Sequence, residues 1–456
     1  ILQSSGSMSG SFVIQSTYTM ENSSLILFPS GDIDFAGTSV IRESASITSD
    51  GPLRFVNSSI TTFLSSNLTL GAAGELQLQN AARLAFRESS EASVSSGVFM
   101  THDSLMTIDN AQVTFESTEP ILFTDVSGVD MAHGAVISID SMANFTDSSG
   151  IFLSRGSQLI SSAPIAFDDS ALCNFGNSLG NFGGPLYLTG LATLNAFAST
   201  VDCLTVSIEG QAEFQISQSA TASLDVVTIL NNALLSVTDS TGHLTIITDL
   251  VADDYSQLQV FNAGRILLFN ASGARFQGAS VLSLNTGTLD IQLQSTLSLR
   301  DNSEMQVLAA SVQLLGSMDV IGNSAVLLAN GSQFSISTGY MFLHSTTPME
   351  ISTNSRVDIG SVGRVDLLDC NVNINNGSTI ASSGSFNVDN CAMTFDAAHW
   401  VLNGTERTNI GGASAISFVG ATFLLEDTNR FLLYQSALFH LETSEFTSSS
   451  LFTVFS

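Results

Sequence analysis

Four cysteines stand in the chain, and two of them, Cys370 and Cys391, sit 21 residues apart in nearly the same local setting. LLDCNVNI (367–374) laid over VDNCAMTF (388–395) matches position for position, with apolar residues on one parity and polar ones on the other. That alternation is the period of a strand with one buried side. Thiols at equivalent points of a repeat can close a disulfide or stack as buried free thiols. Cys173 and Cys203, 30 residues apart, form a second candidate pair. No CxxC motif or adjacent histidine completes a metal set, so neither metal nor cofactor is expected.

Eight Asn-x-Ser/Thr sequons follow, at Asn22, Asn57, Asn67, Asn144, Asn270, Asn330, Asn376 and Asn403. Ser and Thr are so abundant that about seven would arise by chance, so position matters more than number. Asn330, Asn376 and Asn403 each begin Asn-Gly-Ser/Thr, a turn signature, and are the first candidates for N-linked glycans; Asn22 and Asn57 come next. A structural asparagine at a corner is the competing role at every site. His102, His133, His243, His344, His399 and His440 are dispersed and carry no metal-ligand or nucleophile-elbow context. The adjacent acids Asp168–Asp169 and Asp253–Asp254 are read as corner residues, and no catalytic residue is assigned.

The charge is lopsided. All 12 basic residues are arginine, against 41 acids, for a net charge of −29. Such a surface repels phosphate backbones and anionic lipid, which disfavours a nucleic-acid or membrane-surface role. No apolar run reaches the roughly 18–20 residues of a membrane helix, so no bilayer insertion is expected. The opening ILQSSGSMSG has neither the basic region nor the apolar core of a signal peptide, so a mature or trimmed chain is expected.

The elements that must hold these residues are short strands. Between 325 and 397 the chain reads as pieces of about seven or eight residues, short strands separated by corners of Asn, Gly or Ser. Three pieces make a unit of about 21–24 residues, which matches the Cys370–Cys391 interval. RDNSEM (300–305) returns as IGNSAV (321–326). A fixed period of this size, with strands on every side, predicts one parallel β-helix domain over 1–456. It would have three short strands per coil and about 20 coils. Residues one coil apart then lie about 4.8 Å apart, close enough for a disulfide between neighbouring coils. ALCNFGNSLGNFGGPLYLTG (171–190), rich in glycine, is expected to form an enlarged corner loop. Neither end reads as an amphipathic cap, so a longer or end-to-end stacked assembly is expected.

Segments such as LSLNTGTLDIQLQSTLSLRDNSEMQVL (282–308) resemble extracellular right-handed β-helix proteins of the pectin-lyase-like class, as in filamentous-haemagglutinin-type adhesins. The resemblance implies a right-handed coil and a secreted or surface-displayed protein. The expected function is a non-enzymatic structural one: a fibre subunit or rigid adhesin stalk that associates with itself or with other extracellular structural proteins. The alternative is a carbohydrate-active β-helix enzyme. TGHL (241–244) resembles the Gly-His element of polygalacturonases, but the accompanying elements are missing. An enzyme would gather its acids in one groove, whereas a scaffold would scatter them.

Overall fold

Apolar-polar alternation becomes strand almost everywhere it occurs. The computed structural model of the chain describes residues 6–269, 272–426, 430–450 and 452–454. Every regular element among the described residues is a β-strand. The strands build an all-β parallel β-solenoid of about 20 turns, with about 22 residues per turn. Contacts divide the chain into two compact units, Ile1–Ala222 and Ser223–Ser456.

In the first unit one turn consists of Leu105–Asp109, Gln112–Phe115 and Ile121–Phe123, on faces termed a, b and c. The next turn repeats them as Gly128–Ala132, Val136–Ile139 and Ala143–Phe145. Each strand is parallel to its predecessor and in register, pairing Leu105 with Gly128, Gln112 with Val136 and Ile121 with Ala143. Alternate side chains point inward, so equal positions of successive turns stack in columns. Phe123, Phe145 and Phe167 form one such column, with ring centroids 4.3 and 4.7 Å apart and planes within 1° and 16° of parallel. The rung spacing of about 4.8 Å is itself a good aromatic stacking distance, which is why like residues recur at fixed phase.

The second unit follows the same plan. Its strands Arg356–Ile359, Arg364–Leu368 and Asn371–Asn375 form faces b, c and a. They lie in register with Thr379–Ser382, Ser385–Asp389 and Ala392–Asp396. Corners account for the Asn, Ser and Gly content. At the a-to-b corners Asn110, Asn177, Asn330 and Asn376 adopt φ of 50°, 50°, 59° and 53°. Asparagine tolerates this left-handed region better than other side chains. A small residue then turns inward: Ala111, Ser178, Ser332 and Ser378 are all buried.

The expected enlarged loop at 171–190 is absent. Leu172–Gly176, Leu179–Phe182 and Leu186–Leu188 sit in register on the preceding turn. The glycines there serve close packing instead. A Cβ on Gly180 would fall 2.7 Å from the Phe175 ring, and one on Gly184 would fall 2.3 Å from the Ala163 backbone. The rhythm changes one turn later, where Thr200–Ile208 runs along faces b and c as one strand. His243–Ala252 does the same in the second unit.

Candidate functional site

Cys370 and Cys391 stack as their spacing implies. Asn371 pairs with Ala392, which sets the two preceding cysteines over one another, with sulfurs 2.9 Å apart. Both are buried free thiols. Their position explains them: the register places a small residue at this c-to-a corner in other turns of the unit, including Ser256, Ser280, Ser303 and Ser324. Ser414 follows Cys391 in the same column. The Cys370 N–H donates to Cys391 Sγ, and the Cys391 N–H donates to Ser414 Oγ, each at 3.2 Å. The cysteines therefore stand where other turns carry serine, and in this stretch a hydrogen bond passes from Cys370 to Cys391 and on to Ser414. The hydrogen bond from Cys370, against the effect of burial, holds the Cys391 thiol below its ordinary pKa; donating that bond, with burial, pushes Cys370 up.

The other two cysteines do not stack. Cys173 lies on face a between Ile151 and Leu194, whereas Cys203 lies on face b beside Phe182. The 30-residue interval expected to be one coil plus a loop is one turn plus one face, because the loop does not exist. Burial pushes both thiols well up.

Among the sequons, Asn22, Asn57, Asn330 and Asn376 are exposed corner residues at positive φ. In each the hydroxyl residue two positions on, Ser24, Ser59, Ser332 or Ser378, is buried. An exposed left-handed Asn followed by an inward Ser is the ordinary spelling of these corners. Asn67 is exposed at the head of its strand; Asn403 is half-buried at a corner, and Asn144 is half-buried in mid-strand. Asn270 lies outside the described residues. The two acid pairs also shape corners: Asp168 and Asp253 each accept the next residue's N–H at 2.8 Å. They accept further bonds from Thr189 and Gln277. His133 pairs with Asp109 at 2.6 Å, and His344 with Asp369 at 3.6 Å. Among the described residues no group of three or more His, Cys, Asp or Glu could hold a metal ion.

A groove of about 970 Å³ lies on the outer side of face c in the second unit. Its floor is a polar ladder. The register stacks Phe342, Asp366, Asn387 and Asn409 in one column. Asn387 Nδ2 donates to Asp366 Oδ1 at 2.6 Å, and Asn409 Nδ2 donates to Asn387 Oδ1 at 2.7 Å. Arg364 grips Asp366 through Nε and Nη2 at 3.0 and 2.7 Å, and the Tyr340 hydroxyl donates to Asp366 Oδ2 at 3.0 Å. Burial alone would raise the Asp366 carboxyl, but these donors outweigh it and hold its pKa below the usual range. Tyr340 moves the other way, to about 12, through burial and its bond to that carboxylate. Arg407, Arg430, Asp389 and Glu406 line the walls.

No protein-family model matches the chain, and the search of curated proteins found no match. What the groove can do therefore rests on its residues. Asp366 is an acceptor whose pKa is held below the usual range and whose oxygens are engaged by Arg364, Tyr340 and Asn387, which suits positioning and not proton donation. Sequence reading missed this site because its members are single residues in different strands. Writing the turns RVDLL (364–368), SFNVD (385–389) and RTNIG (407–411) above one another would have aligned Asp366, Asn387 and Asn409.

Proposed function

We propose that this chain is a non-catalytic structural element of a secreted or surface-displayed assembly, a fibre subunit or stiff adhesin stalk. On this reading its solenoid winds right-handed, as in the filamentous adhesins its sequence resembles. The observation that carries the reading is the in-register ladder of each unit. The edge groups of each turn bond to the turns before and after it, which makes a continuous hydrogen-bonded stack that resists bending. Several acids elsewhere are engaged at corners or in ion pairs, as at Asp168, Asp253 and Asp290. The test is electron microscopy of native material across a concentration series. End-joined or fibrous particles are expected, and isolated particles alone at high concentration would refute assembly.

A second reading is favoured by the groove, which Asp366, Asp389 and Glu406 all line. This is the arrangement expected of a carbohydrate-active enzyme. A panel of acidic and neutral polysaccharides, assayed for new reducing ends and unsaturated products, separates the two readings. Turnover that Asp366→Asn abolishes would establish the enzyme.

A further inference from the structure

Arg407 and Arg430 occupy paired positions on adjacent strands of face c. Like charges directly opposite one another on neighbouring strands are unfavourable. Among the described residues neither guanidinium has an ion-pair partner, and both are exposed, whereas Arg364 in the same groove is bound to Asp366. The chain has only 12 basic residues, so three in one groove of a protein with net charge −29 are a marked concentration. The nearby Glu406 and Asp389 line the groove without closing an ion pair to either of the two arginines.

We propose that the Arg407–Arg430 pair is a binding site for an oxyanion: a carboxylate, sulfate or phosphate group on a ligand lying along the groove. Two guanidiniums one rung apart, about 4.8 Å between backbones, can each direct a planar fork of N–H donors at one anion between them. An anion there removes the like-charge repulsion and gives acceptors to guanidiniums that have no ion-pair partner among the described residues. The amides of Asn387 and Asn409 continue from this pair along the floor and can bond neutral hydroxyl or carbonyl groups of the same ligand. Arg364 keeps the charge of Asp366 neutralised, so the floor does not repel the anion. The inference is independent of the scaffold reading, since a stalk and an enzyme could each use such a site.

The test is isothermal titration of the intact chain with sodium sulfate, sodium glucuronate and a short oligoglutamate peptide, at low salt and again at high salt. Saturable binding of at least one anion is expected, weaker at high salt and weaker by at least about tenfold in Arg407→Ala/Arg430→Ala. Arg356→Ala, on face b, should leave it unchanged. Which probe binds distinguishes a free tetrahedral anion, an acidic sugar and an acidic chain segment as the source. Arg407→Gln alone, with far-ultraviolet circular dichroism to verify folding, guards against a misfolded double variant. Absence of saturable binding with all three probes, or equal binding by the folded double variant, would overturn the proposal.

Discussion

Replacing cysteine by serine should have opposite consequences at Cys173 and Cys391, although both are buried and free. At Cys391 the neighbouring rungs already contain the machinery for a hydroxyl. The Cys370 N–H donates to this position, and Asp389 O lies 3.2 Å from the sulfur, ready to accept an O–H. Serine would keep both bonds, so Cys391→Ser should change local stability by less than about 0.5 kcal/mol. Cys173 sits in an apolar column with Val129, Ile151 and Leu194. Farther along the same column Ser39 and Thr61 bury hydroxyls that find no partner among the described residues. A serine at 173 would join them and cost about 1–3 kcal/mol for a buried, unpaired hydroxyl. Hydrogen exchange is the suitable assay, because a solenoid opens locally and its global unfolding need not be two-state. Protection of Ile151–Leu194 should fall in Cys173→Ser, while that of Cys370–Ser414 stays nearly unchanged in Cys391→Ser. An equal or larger loss at Cys391 would refute the ladder argument. A loss of about 2–4 kcal/mol there that disappears in reductant would show instead that Cys370 and Cys391 are joined by a disulfide in the native material.

Phe145→Ala, which empties the middle of a three-ring stack, should cost about 3–5 kcal/mol, read as lost exchange protection in the first unit. An effect below about 1 kcal/mol would mean that the column repacks. Because the folded pKa of Asp366 is depressed, its contribution is present above the unfolded value near 3.9 and is lost as pH falls through the folded value. Protection of the groove strands should therefore weaken in acid, and Asp366→Asn should abolish that dependence. Tyr340, raised to about 12, contributes fully below pH 10 and loses its contribution as pH rises through about 12. Ultraviolet titration of the chain and of Tyr340→Phe should differ by one late-ionising tyrosine. At Asn330, with φ of 59°, Ala should cost about 1 kcal/mol while Gly is tolerated. The intact mass of native material shows separately whether that asparagine carries a glycan.

The architecture was legible in the residues because a solenoid writes its period into them. The two inward columns at 372/393 and 374/395, and the corner Asn-Gly-Ser at 330 and 376, follow from a local rule repeated every turn. The equivalence of Cys370 and Cys391 was legible for the same reason. Tertiary structure alone decided three other matters. Glycines 180 and 184 spell a loop in one dimension, yet they mark places where a phenyl ring or a backbone approaches too closely for a Cβ. Cys173 and Cys203 fall on different faces, because the chain between them makes one full turn to Leu194 and then the step from face a to face b, with no loop to take up the excess. The groove of Asp366, Asn387, Asn409, Arg407 and Arg430 exists only once turns are stacked, because its members are separated by whole turns of chain. Local propensity determines each strand and corner; register between turns determines which side chains meet, and register depends on the length of every turn in between.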